Sequence, residues 1–187
     1  MDKWNSYYRD VTLENMGAFN YGDTITYKLG YDFLKDCETI EDWGCGTGGF
    51  KRFVKEKDNI KYIGVDGSLT PFSNVKADLT QYTSNTQGIF MRHIIEHNYD
   101  WSKILDNACK SFTKKMCLIL FTPFVDVTKE IEGTVKQNTD CGVNVPDISF
   151  RKEDLINIFE NYGIKYTMQT FNTSTLYNIE HIFFMEK

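Results

Sequence analysis

The stretch Ile40-Glu41-Asp42-Trp43-Gly44-Cys45-Gly46-Thr47-Gly48-Gly49-Phe50 reads as a strand, a glycine loop and the start of a helix. Four of the chain's 13 glycines (Gly44, Gly46, Gly48, Gly49) sit in this one loop. Glycine costs backbone entropy wherever it is not needed, so such a run marks a backbone that turns sharply or is closely approached. In α/β proteins a loop of this kind exposes the main chain to a ligand and lets the next helix pack close to the strand. The spacing here is G-x-G-x-G, not the G-x-G-x-x-G of a pyrophosphate seat. Asp42 stands just before the loop. A carboxylate there would repel a pyrophosphate and attract a cationic amino acid, directly or through water.

Two further acids follow at strand ends. Asp66 closes Tyr62-Ile63-Gly64-Val65-Asp66-Gly67-Ser68, 22 residues after Gly44. An acid in that place can accept hydrogen bonds from ribose hydroxyls. Asp78 closes the next strand, in Lys76-Ala77-Asp78-Leu79. It can accept from an exocyclic amine of adenine, with Leu79 packed on the ring. The plain alternatives are turn-capping roles for both acids.

Around this centre, strand and helix patterns alternate. Strands are expected at 38–42, 60–65, 74–77, 87–91, 116–121, 164–170 and 180–186, and helices at 48–57, 101–112 and 151–161. Alternation predicts a mainly parallel sheet with helices on both faces. No helix separates the last two strands, so the final one should run antiparallel. Residues 1–36 read as an N-terminal helical extension, with Ile25, Leu29 and Phe33 on one helical face. Residues 122–150 read as a long irregular loop, and loops of that length are usually functional. The chain is read as a single domain, 1–187.

Composition sets limits on function. The chain has 187 residues, 41% hydrophobic and 25% charged, with a formal net charge of −5. That predicts a folded domain with a real core and gives no basic signature for nucleic acid. No run of about 18 apolar residues marks a membrane span, and the first residues show no apolar segment of a secretory signal. Five cysteines without a C-x-x-C pair argue for reduced thiols in a cytoplasmic protein.

Asp42-Trp43-Gly44-Cys45-Gly46-Thr47-Gly48 resembles motif I of the class I S-adenosylmethionine-dependent methyltransferases. Asp66 is similar to that family's ribose-binding acid, and Asp78-Leu79 to its adenine contact. Met91-Arg92-His93-Ile94-Ile95-Glu96-His97 resembles the segment after strand 4 in small-molecule and sugar methyltransferases. The resemblance covers residues 38–121 well. It implies a Rossmann-like, seven-stranded, mainly parallel α/β sheet with an antiparallel last strand. It implies S-adenosyl-L-methionine as cofactor, held by Tyr21, Asp42, Trp43, Gly44, Cys45, Gly46, Gly48, Asp66, Gly67, Asp78, Leu79, Arg92 and His93.

Methyl transfer needs the acceptor aligned with the methyl carbon and water excluded. A hydroxyl acceptor also needs a base. His93 is the candidate catalytic base, since imidazole titrates near neutrality and the end of strand 4 faces the crevice. Alternatively it packs against the methionine end of the cofactor or caps the next helix. Arg92 could pair with the methionine carboxylate, with an anionic acceptor, or with Glu96. Glu96 and His97 could line the acceptor side, and Trp101 belongs to a helix's core face.

His93-x-x-Glu96-His97 also matches H-x-x-E-H, an inverted zinc-peptidase pattern. A zinc site would need a further protein ligand that the sequence does not offer, so no metal is expected. An Asn/Asp/Ser-Pro-Pro-aromatic segment and a Pro-Cys pair, marks of nucleobase methylation, are both missing from the sequence. Catechol-type metal sites would put acids where Arg92 and His93 stand. The aromatic N-terminal segment reads either as packing the extension onto the sheet or, as the resemblance implies, as a lid with Tyr21 near the sulfonium. The reading is a metal-independent methyltransferase acting on a small polar acceptor, first a hydroxyl of a sugar or sugar-phosphate type. The alternatives are a protein or peptide methyltransferase, or a non-catalytic S-adenosylmethionine-binding module. No nucleic-acid or membrane partner is expected.

Overall fold

A computed structural model describes residues 8, 12, 24–55, 58–140 and 143–187. The elements in chain order are α1 (Ile25–Leu34), β1 (Thr39–Trp43), β2 (Lys61–Asp66), β3 (Val75–Lys76), β4 (Thr86–Arg92), α2 (Trp101–Ser111) and β5 (Phe112–Leu120). Then come β6 (Lys129–Glu130), α3 (Thr134–Asp140), β7 (Ile148–Ser149), α4 (Lys152–Asn161), β8 (Lys165–Phe171) and β9 (Glu180–Glu186). Seven strands form one sheet in the order β3-β2-β1-β4-β5-β9-β8. β1 to β5 are mutually parallel, and β9 runs antiparallel to both β5 and β8. This is the expected seven-stranded sheet with its reversed last strand.

Side-chain alternation gives the central strands two buried faces. On one face Ile89, Met91, Met116, Leu118 and Leu120 pack with Leu105 and Ala108 of α2 and with Leu155 and Phe159 of α4. On the other, Phe90, Cys117 and Ile119 pack with Tyr31 and Leu34 of α1. Among the described residues, no helix is long and apolar enough to cross a membrane. Cys37, Cys45, Cys109 and Cys117 are free thiols.

Three sequence expectations are corrected. The helix expected at 48–57 is a 3-10 turn, Lys51–Phe53. Phe50 and Phe53, three residues apart, lie on one side of such a turn. Phe50 stacks on Phe90 at 3.9 Å, and Phe53 stacks on Tyr27. Second, α1 forms as expected but buries Thr26, Gly30, Tyr31 and Leu34, whereas Ile25 is exposed. The helix is rotated because Thr26 and Tyr27 are claimed by a buried polar network. Third, 122–150 is irregular only in part. β6 and β7 pair antiparallel around α3, and the buried Asp147 ties the segment together by accepting from Asn138 and Tyr177.

β2 is pinned where Asn74 Oδ1 accepts from the Gly64 amide and the Asn74 amide donates to the Gly64 carbonyl, both at 2.8 Å. A Cβ at Gly64 would stand 2.0 Å from the Phe72 carbonyl oxygen. A backbone atom cannot swing away as a side chain can. Gly64→Ala is therefore expected to cost about 3 kcal/mol, the upper end for overpacking. For a domain of this size, that lowers the melting temperature by about 6–12 °C. Thermal unfolding followed by circular dichroism checks it.

Candidate active site

The glycine loop leaves β1 through left-handed backbone, with φ of +74° at Gly44, +45° at Gly46 and +70° at Gly48. Other residues rarely adopt such values. The Gly44 amide donates to the Val65 carbonyl at 2.7 Å, fastening the loop to the end of β2. Trp43 is fully buried, with its indole donating to Glu41 at 2.8 Å. Its side chain therefore serves the core, leaving its main chain to the loop. Cys45 is also buried, and burial, then Asp42 and Asp66, push its thiol pKa up and keep it neutral.

Asp66 closes β2 as expected. Its two oxygens accept from the amides of Gly46 (2.9 Å) and Ser68 (2.8 Å). The acid thus bridges the loop and its own turn, past Gly67. Burial raises its pKa against those two bonds. Asp42 is buried and accepts from the Tyr62 hydroxyl at 2.8 Å. Burial is the main cause that lifts Asp42 to about 7, and the charge of Asp66 adds to it. Neither acid makes an ion pair among the described residues. The Ser68 hydroxyl is buried with no hydrogen-bond partner among the described residues. Two buried carboxylates and an orphan hydroxyl beside the glycine loop suit a ligand that brings hydroxyls and positive charge.

Asp78 lies two residues past β3, where its Oδ1 accepts from the Thr80 amide and hydroxyl. The Thr80 hydroxyl is the main cause that holds its carboxyl below the usual range. Leu79 is half-buried against the core. Tyr21 lies outside the described residues. Tyr8 is described, and its hydroxyl lies 2.8 Å from where a Cβ of Gly46 would be.

At the end of β4, Arg92 is buried and pairs with Glu180, not Glu96, at 2.8 Å. It also donates to the Tyr27 hydroxyl at 2.9 Å. His93 follows at φ +57°, its amide donating to the Ile119 carbonyl and its Nε2 lying 2.7 Å from Glu180 Oε1. Burial, then the charges of Arg92 and His97, hold the His93 pKa well below its ordinary value. Glu96 is fully buried, with Oε1 accepting from the Phe121 amide, and burial lifts it to about 7. His97 binds Asp147 at 3.1 Å. Burial would lower the pKa of His97, but its bond to Asp147 and the charge of Glu96 outweigh this and raise it.

The H-x-x-E-H residues are not on one α-helix, for only Ile95–His97 form a 3-10 turn. His93 turns to Glu180 and His97 to Asp147. Among the described residues, no group of three or more His, Cys, Asp or Glu is arranged to hold a metal ion. Trp101 packs edge-on against Phe150 at the core.

Sequence reasoning missed Glu180, Thr26, Tyr27 and Ser68. Glu180 left one usable signal, an acid just before the apolar run Ile182-Phe183-Phe184-Met185 of the last strand.

No family model matches this sequence, and no curated protein matches it. Solved structures do. Magnesium protoporphyrin IX methyltransferase from Synechocystis PCC 6803, with bound SAH, superposes with a TM-score of 0.62 at 16% identity, covering 100% of this chain and 93% of that one. The 1,6-didemethyltoxoflavin-N1-methyltransferase of Burkholderia thailandensis gives 0.65 at 10% identity, covering 98% and 83%. A SAM-dependent methyltransferase from Archaeoglobus fulgidus gives 0.60 at 16%, covering 98% of each chain. Strand order, the reversed last strand and these superpositions agree, and the chain has the Rossmann-like fold of the class I S-adenosylmethionine-dependent methyltransferases.

Proposed function

We propose that this protein is a metal-independent S-adenosylmethionine-dependent methyltransferase whose acceptor is a small polar molecule, first a hydroxyl of a sugar or sugar-phosphate type. The observation that carries the reading is the pair of buried acids, Asp42 and Asp66, flanking the glycine loop with no ion pair among the described residues. S-adenosylmethionine, when bound, supplies a methyl group on a positively charged sulfur. Asp66 and Ser68 would hold the ribose, Asp78 and Leu79 the adenine, and Asp42 the positive amino acid end. The main chain of Trp43, Gly44, Cys45, Gly46, Gly48 and Gly67 would line the seat, and Tyr21 would close over it. His93 would take the acceptor's proton. Arg92 would act from beneath, on Glu180. The molecules named for the superposed enzymes, magnesium protoporphyrin IX and 1,6-didemethyltoxoflavin, support a small-molecule acceptor and leave the sugar-type hydroxyl as the finer proposal.

Calorimetric titration with S-adenosylhomocysteine tests the cofactor. Asp42 must be ionised to attract the ammonium group, and below about 7 its own proton competes. Affinity is therefore expected to fall as pH drops from 8 to 6, by at most about tenfold per pH unit. Asp42→Asn should flatten that dependence. No binding at either pH would overturn the proposal. Turnover over a panel of sugars, sugar phosphates and peptides then tests the acceptor. Product only from peptides would move the acceptor to protein, and binding without any turnover would make the chain a sensor module.

A further inference from the structure

Gly49 is the one glycine of the loop whose backbone does not ask for glycine. Gly44, Gly46 and Gly48 have left-handed φ, and Gly49 does not. What forbids a side chain at Gly49 is a neighbour, since glycine also serves where another group approaches closely. A Cβ there would stand 2.4 Å from the Tyr27 hydroxyl oxygen and 2.6 Å from Tyr27 Cζ. The ring of this α1 residue thus lies against the end of the glycine loop.

The ring is held in that place from several sides. Its hydroxyl accepts from Arg92 Nη1 at 2.9 Å, and the guanidinium carbon lies 4.3 Å from the ring centroid. The ring stacks on Phe90 of β4 at 5.9 Å and on Phe53, in the turn after the loop, at 5.8 Å. Arg92 is anchored in turn. Its Nε and Nη2 donate to Glu180 Oε1 at 2.9 and 2.8 Å, and Nε also reaches Thr26 Oγ1 at 3.3 Å. Arg92, Glu180 and Thr26 are all buried. Charge-assisted bonds of this kind are strong, and a close-packed interior transmits a displacement rather than absorbing it.

We infer that Tyr27 is a positioning residue for the cofactor seat: Arg92, fixed by Glu180, holds the Tyr27 hydroxyl against Gly49 and so sets where the glycine loop lies. This role rests on the glycine loop being the S-adenosylmethionine seat. Tyr27 acts through the main chain of the loop. Glycines leave that main chain bare to the ligand, so affinity depends on where it stands. A shift at Gly49 passes along the loop to Gly48 and Gly46. The Gly48 amide donates to the Cys45 carbonyl at 2.8 Å, and the Gly46 amide to Asp66 at 2.9 Å.

The test is a double-mutant cycle between positions 27 and 49 of the full chain, read as S-adenosylhomocysteine affinity by calorimetry. Gly49→Ala puts a methyl group where the held hydroxyl stands, so the loop must yield. Affinity is expected to fall about tenfold or more. Tyr27→Leu ends short of the Tyr27 atoms nearest Gly49 and takes away the loop's rest, at a cost of about threefold or more. In that background Gly49→Ala should cost less than about threefold further. The same Gly49→Ala factor in both backgrounds would overturn the inference, and so would unchanged affinity in Tyr27→Leu. A merely structural Tyr27 would lower the melting temperature and leave the affinity of the folded protein uncoupled from Gly49. Should Gly49→Ala alone fail to fold, Tyr27→Leu is expected to restore folding and binding to it, and failure to do so would overturn the inference. Should Tyr27→Leu fail to fold, Tyr27→Phe takes its place. It keeps the stacking without the hydroxyl held by Arg92, and should cut the Gly49→Ala factor by about threefold or more. A wild type that binds no S-adenosylhomocysteine would overturn the reading of the seat itself. A wild type that binds, with variants that simply multiply, would overturn the role of Tyr27 alone.

Discussion

Asp66→Ala is expected to weaken S-adenosylhomocysteine binding by about 10²–10⁴-fold. Two ribose hydroxyls donating to one carboxylate are worth about 1.5–3 kcal/mol each, and each 1.4 kcal/mol is a factor of ten in affinity. The same carboxylate holds the Gly46 and Ser68 amides, so its loss also loosens the loop. Calorimetry measures the affinity, and circular dichroism confirms that the sheet persists. A folded variant that binds within about threefold of wild type would remove Asp66 from the site; a loss of this size in a folded protein would place it there.

His93→Asn is expected to lower kcat by about 10²–10⁴-fold, the range that a positioned base supplies. Asparagine suits the test because His93 has φ +57°, a region asparagine tolerates and alanine does not. Affinity for S-adenosylhomocysteine should stay within about twofold, since the seat is built by β1, β2 and their loops. A kcat equal to wild type would retire the base and make His93 a packing residue. A matching loss of cofactor affinity would assign it to the cofactor side.

The sheet was legible because β2, β4, β5 and β9 carry apolar runs of strand length and the glycine loop marks the end of β1. The 180–186 strand was read to the residue, and its reversal followed from the missing crossover helix. The acids at Asp42 and Asp66 were legible because their place at strand ends follows from the same reading. What escaped the sequence depends on tertiary partners. Glu180 meets Arg92 and His93 across a gap of more than 80 residues, which no local pattern encodes. The face of α1 was misread because Thr26 and Tyr27, polar by type, are drawn inward by Glu180 and Arg92. The 122–150 segment was missed because its ladder is two residues long on each side, too short to show a period. Its real anchor is one buried acid, Asp147.

The glycine loop has one more consequence. The space that side chains would fill there is taken by the protein's own residues: Ile94 at Gly44, Tyr8 at Gly46, Phe72 at Gly48 and Tyr27 at Gly49. Three of the four glycines are also bound by their backbone angle. Gly49 is not; it is held only by the Tyr27 ring, whose hydroxyl would lie 2.4 Å from a new Cβ. In terms of inheritance, the loop is three fixed positions and one negotiable one. A side chain at Gly49 requires the Tyr27 ring to move or shrink, and that ring carries the hydroxyl that accepts from Arg92. A change at the one negotiable position is thereby linked to Arg92, through the tyrosine that both meet.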